Sequence, residues 1–173
     1  MSAQKKIAIL VEDLYQVLEV WYPLLRLKEE GFEVVTVGTG TKESYGSKEG
    51  YPCKVNASIE KINPKDFDCV IIPGGYAPDI LRRYDQVNQF VKEMHQSGKL
   101  VAAICHAGWV LVSAGILKGK KITCFFAIKD DLIAAGAQYL DQEVVVDGNL
   151  ITSRKPEDLP RFTQEIIKSL KKD

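Results

Sequence analysis

The sequence is poor in the residues that staple or metallate small proteins. Its four cysteines, Cys53, Cys69, Cys105 and Cys124, lie far apart with no Cys-x-x-Cys pair, and only His95 and His106 accompany them. Neither a zinc site nor a disulfide framework is signalled, and reduced thiols in a cytoplasmic protein are the expectation. Positive charge is not in surplus either: Lys plus Arg and Asp plus Glu both number 23. Nothing is left over to neutralise phosphates, so nucleic acid is not an expected partner. Long apolar runs are missing as well. Residues 1–6 carry two lysines, but the apolar run that follows stops at Glu12 and Asp13, too short for a signal segment or a membrane span.

What is present is the composition of an ordinary globule, with 46% hydrophobic and 27% charged residues in 173. That length suits one domain over residues 1–173. Short apolar runs alternate with amphipathic stretches, the mark of βα units and a largely parallel sheet. Strands are expected at 6–11 (KIAILV), 32–38 (FEVVTVG), 68–73 (DCVIIP) and 99–104 (KLVAAI). The sheet is completed around 122–126 and at 143–146 and 150–153 across the Asp147-Gly148 turn. Helices are expected from Leu18 to Glu30 with a bend or start at Pro23, and over 85–97, 106–114, 129–135 and 156–171. The stretch 39–52 reads as a polar excursion, forming a hairpin with 53–56 that leaves Cys53 exposed.

Two places stand out chemically. Gly74 and Gly75 end the 68–73 strand, where the backbone can turn tightly or come close to a ligand, and strand ends of this kind build sites in open α/β sheets. In AAICHAGW an apolar strand stops at Cys105 and a helix begins on the next residue. A nucleophile on such a turn is thrust out of the sheet edge, and the small Ala103 and Ala107 let the chain bend sharply. A helix start favours thiolate over thiol and its free amides can hold an oxyanion, so Cys105 is expected to be the most acidic cysteine. Against this stands the plainer possibility of a small apolar residue filling a junction. Cys69 and Cys124, set in apolar runs, read as inert.

The segments PGGYAPD, AAICHAGWVLVSAGILKGKKIT, IKDDLIAAGAQYLD and EVVVDGNLITSR together resemble the ThiJ/PfpI family, in its PfpI-like intracellular protease and deglycase branch. The likeness runs over nearly the whole chain. It implies a flavodoxin-like, class I amidotransferase-like α/β sandwich, mostly parallel, with the nucleophile elbow at Cys105 and no metal or organic cofactor. It also implies assembly into a homodimer or homohexamer. The family's acid sits four residues before a proline in the first helix, which here is Glu19 ahead of Pro23. Glu12 and Asp13, near the end of the first strand, compete with it, and a solvated helix carboxylate is the ordinary fate of a Glu.

His106 is the other partner for the thiol, although adjacent side chains at a helix start diverge. In the protease-like members this His is completed by an acid from a neighbouring subunit, just after the PGG strand end. The matching residue is Asp79, where the relative with peptidase character carries Glu. The shorter acid weakens the peptidase reading more than the cysteine chemistry. Relatives commonly have Gly-Pro after Cys-His, whereas this chain has Ala107, Gly108 and Trp109. Trp109 can wall the pocket or serve as core, and Tyr22 beside Pro23 can line the site or simply pack.

Three functions follow as expectations. The first is an enzyme attacking carbonyl carbon, either a glyoxalase or deglycase acting on reactive dicarbonyls and their adducts or a peptidase, with a small carbonyl compound or a peptide as partner. The second is a stress-response redox sensor or holdase in which Cys105 is oxidised without turnover. The third, a flavodoxin-like binding module, is disfavoured because no phosphate-cradling loop follows the first strand.

Overall fold

The computed structural model describes residues 4–172. The reading of 1–6 as no leader falls partly on residues 1–3, outside the described residues. Seven strands make the main sheet: β1 (Lys6–Leu10), β2 (Glu33–Gly38), β5 (Ala57–Ser58), β6 (Cys69–Ile72), β7 (Leu100–Ile104), β10 (Val144–Asp147) and β11 (Leu150–Ser153). Their order is β10-β11-β7-β6-β1-β2-β5. Every pairing is parallel except the β10–β11 hairpin. The helices are α1 (Val17–Glu29), α2 (Ala77–Leu81), α3 (Asp85–Gln96), α4 (Gly108–Ala114), α5 (Lys129–Ala134) and α6 (Leu159–Leu170). Among the described residues no helix is long and apolar enough to cross a membrane.

The central strands are apolar at every position because both faces are covered, and the two-residue period of a strand sends alternate side chains into different cores. Ala8, Leu10, Val70, Ile72, Val101 and Ala103 face one way, where Val87, Phe90, Val91 and Met94 of α3 and Val110 and Leu111 of α4 meet them. Ile7, Ile9, Cys69, Ile71, Ala102 and Ile104 face the other way, against Val20, Leu24 and Leu27 of α1 and Phe162 and Ile166 of α6. Burying side chains of this size contributes about 1.5–3 kcal/mol each. The result is the expected α/β sandwich, with the carboxyl ends of β1, β6 and β7 opening on one edge.

Three local expectations need correction. The run 122–126 does not complete the main sheet. Only β8 (Lys121–Ile122) is extended, and it pairs with β9 (Gln138–Tyr139) in a separate two-stranded sheet. The chain leaves the extended path because the Phe125 amide bonds to the Cys105 carbonyl at 3.2 Å. The hairpin in the 39–56 stretch is β3 (Ser44–Gly46) against β4 (Pro52–Lys54), with Tyr45 opposite Cys53. Both are 1% exposed and belong to the α1-side core, so Cys53 is buried. The short helix α2, begun at Ala77-Pro78, was not foreseen, although Pro in a first helical turn is a start signal.

Candidate active site

Cys105 directly follows β7 and opens a single 3-10 turn, Cys105–Ala107, ahead of α4. It adopts φ 63°, one of two non-glycine residues with positive φ among the described residues. That conformation is costly for an ordinary side chain and is the geometry of a nucleophile elbow. The residue is 7% exposed.

Glu19 reaches that sulfur from α1. Pro23 sits inside the helix and lacks the amide that would bond to the carbonyl of Glu19, four residues earlier. The Glu19 side chain turns inward and is fully buried. Its Oε2 accepts a 2.6 Å hydrogen bond from the Gly74 amide, and its carboxyl lies against the Cys105 side chain beside Gly74. Oε1 has no partner. Burial pushes Glu19 up to about 7, against the opposing influence of the Gly74 amide, Cys105 and Lys48. Gly74 is required by space: a Cβ there would lie 2.6 Å from Cys105 Cβ, 2.7 Å from Glu19 Oε2 and 3.1 Å from Cys105 Sγ.

The expectation of an acidic Cys105 does not hold. Burial, followed by the charge of Glu19, pushes its thiol up to about 12, while the amides of Gly75 and His106 act in the opposite direction. The two groups share one negative charge: when Glu19 takes the thiol proton, the repulsion disappears and the neutral acid can donate to the thiolate. Cys53, Cys69 and Cys124 are raised too, in each case first by burial.

His106 meets the sulfur after all, with Nδ1 3.2 Å from Sγ. The divergence expected of neighbouring side chains is overcome by Phe125, whose ring stacks on the imidazole at 4.9 Å, and by Trp109, which packs edge-on at 5.4 Å. Trp109 is itself held by Nε1 donating to Asp131 Oδ2 at 2.7 Å. Burial, then the positive charge of Lys48, pushes His106 below its ordinary value, so it is neutral at pH 7.

The other candidates lie elsewhere. Asp79 is on α2, ion-paired to Arg83 one turn along, and within the chain it makes no hydrogen bond to His106. Tyr22 is 37% exposed on the outer face of α1 and makes no hydrogen bond to the site among the described residues. Glu12 accepts from Thr39 Oγ1 and from the Asp13 amide, and Asp13 accepts from the Gly46 amide and pairs with Lys42. These two acids fasten the β3–β4 hairpin. Sequence reasoning missed Phe125 and Lys48, whose chain neighbours carry no chemical motif. A surface groove of about 650 Å³ beside α3 is remote from this chemistry: its lining includes Ile62, Asp85, Gln89 and Glu93.

Comparison with known proteins identifies the family. The DJ-1/PfpI family model matches residues 5–169. The chain is 42% identical over 166 residues to "Deglycase PfpI" of Pyrococcus furiosus, covering 96% of this chain and 99% of that one. It is 38% identical over 168 residues to "Protein/nucleic acid deglycase 2" of Escherichia coli, covering 96% and 98%. A crystal structure from Anabaena variabilis, a two-domain protein with DJ-1/ThiJ/PfpI-like and ferritin-like domains, superposes with a TM-score of 0.95 at 45% identity. The match spans 96% of this chain and 48% of that one.

Proposed function

The chain belongs to the DJ-1/PfpI family, and on that premise we propose that it is a cysteine-dependent deglycase or glyoxalase acting on reactive dicarbonyls and their amine adducts. The observation that carries the reading is the fully buried Glu19 carboxyl set against the Cys105 side chain beside Gly74.

Glu19 takes the thiol proton as the sulfur adds to the aldehyde carbon of a 2-oxoaldehyde, and a hemithioacetal forms. The acid then moves a proton from that carbon to its neighbour, leaving the thioester of a 2-hydroxy acid. Water cleaves the thioester, releases the hydroxy acid and restores the thiol. With an amine adduct the amine departs before the proton transfer. A carboxyl held near pKa 7 suits both directions of this shuttle. The amides of Gly75 and His106 face the developing negative charge. We place the reaction in the cytoplasm, consistent with four free cysteines.

Peptide hydrolysis is the second reading, favoured by the contact between Cys105 and His106. It requires His106 to be oriented by an acid, and the pairing of Asp79 with Arg83 weighs against it. We assign the protein a homo-oligomeric state: Leu18, Tyr22 and Leu25 form an exposed apolar stripe on α1 at helical spacing, 52%, 37% and 60% exposed. The test of the function is a rapid acid quench during turnover of methylglyoxal, followed by mass analysis. A hydroxyacyl adduct on the peptide containing Cys105 supports the proposal. Turnover that never loads Cys105 refutes it.

A further inference from the structure

Cys105 is not alone in its strained backbone. The other non-glycine residue with positive φ is Leu14, at 64°, in the loop between β1 and α1. Strain of this kind persists where the surroundings impose it, and it concentrates at functional sites. The leucine side chain does not explain it, since it is 45% exposed.

The backbone does. Tyr15 and Gly75 form an isolated antiparallel bridge, flanked by Gln16 N–H donating to the Gly74 carbonyl at 3.1 Å and Tyr76 N–H donating to the Leu14 carbonyl at 2.9 Å. In an antiparallel ladder, a residue pair bracketed by two such bonds exchanges none of its own. The Gly75 N–H is therefore turned away from residues 14–16, and it is one of the two amides that favour negative charge on the Cys105 sulfur. On the opposite side Tyr15 obeys the same rule, its carbonyl accepting from Lys48 N–H at 2.9 Å. Contact between the two segments is tight enough that a Cβ on Gly75 would lie 2.5 Å from the Leu14 carbonyl oxygen. The left-handed turn at Leu14 sends its amide to the Gly46 carbonyl, at 2.7 Å, and its carbonyl to Tyr76.

We propose that Leu14 is a positioning residue: its left-handed backbone clamps the Gly75 turn so that the Gly75 amide is aimed at the Cys105 sulfur. The clamp rests on the reading of Cys105 as the nucleophile. Its action is through conformation, so what matters at position 14 is tolerance of positive φ and not the leucine side chain. Glycine and asparagine adopt this region readily, alanine less so, and β-branched residues least.

The experiment compares Leu14→Gly, Leu14→Asn, Leu14→Ala and Leu14→Val by two readouts, the pH dependence of Cys105 alkylation by iodoacetamide and the kcat and KM for methylglyoxal. The alkylation profile needs no turnover, so it tests the clamp even if the proposed reaction fails. Leu14→Gly and Leu14→Asn are expected to keep the wild-type profile and kcat. Leu14→Val is expected to shift the profile to higher pH and to lower kcat about tenfold at unchanged KM, whereas Leu14→Ala, unbranched at Cβ like the native leucine, is expected to stay close to wild type. If Leu14→Val does not fold, Leu14→Thr, β-branched and polar at this exposed position, takes its place. An alkylation profile indifferent to all the substitutions overturns the proposal. So does a loss in Leu14→Gly equal to that in Leu14→Ala, since it would assign the role to the side chain.

Discussion

Cys105 Sγ and the Nδ1 of its chain neighbour His106 lie 3.2 Å apart, a contact made possible by the stacking of Phe125 on the imidazole. His106 is neutral there, and Glu19 approaches the same sulfur from α1. On the proposed mechanism the carboxyl is expected to have the larger role in moving protons. His106→Ala is expected to lower methylglyoxal turnover by no more than about tenfold, whereas Glu19→Gln lowers it about a hundredfold or more, the usual scale for a positioned acid-base group. Steady-state rates of the two variants check this, and a larger loss in His106→Ala would give the shuttle to the imidazole.

Glu19 also sets how stability varies with pH. Its carboxyl is raised from 4.5 to about 7 by burial, so between these values the folded state holds a proton that the unfolded chain has released. Stability attributable to this group is full below pH 4.5, falls as pH rises toward 7, and is constant above. The gap amounts to about 3 kcal/mol at 1.36 kcal/mol per unit. Urea unfolding of wild type and Glu19→Gln should show the variant gaining on wild type by about that amount between pH 4.5 and 7.5. Parallel curves would mean that Glu19 is not held neutral by its surroundings.

Gly74 leaves no room for a side chain. A Cβ there would press on the Cys105 side chain and on Glu19 Oε2 together. Displacement of reacting groups by about an ångström can cost about a hundredfold, so Gly74→Ala is expected to fall at least that far in kcat. Circular dichroism separates this from unfolding. A Gly74→Ala enzyme with wild-type kcat would show that the Cys105–Glu19 spacing is not limiting.

Asp79 distinguishes the two enzymatic readings. Carbonyl turnover needs Cys105 and Glu19 of one chain and should survive Asp79→Ala unchanged. Peptide hydrolysis through His106 needs an acid released from Arg83, so it is expected to be weak in the natural sequence and to rise in Asp79→Glu. Robust peptidase activity undiminished in Asp79→Ala would show that the relay does not operate.

Much of this site could be read from the chain because its parts are local. The apolar runs at 68–73 and 99–104 become β6 and β7, each ending in a residue whose type announces a sharp turn, Gly74 and Cys105. Glu19 was legible only through the family spacing to Pro23, since nothing in a helical pattern marks one carboxylate as buried. What the sequence hid depends on contacts between distant segments. Phe125 leaves its apparent strand to cover His106, and Cys53 is buried because Tyr45 lies opposite it. The acidity expected of Cys105 rested on a helix start. Burial, and then the charge of Glu19, push the thiol the other way.

The most direct test of the account is the rate of 2-hydroxy acid formation from methylglyoxal by wild type, Cys105→Ser, Glu19→Gln and the double variant. If the two residues act as one unit, each single variant falls nearly as far as the double variant, because either loss disables the shared proton. Losses that simply multiply, or a Cys105→Ser enzyme that still turns over at the wild-type rate, would contradict the pairing of Cys105 with Glu19.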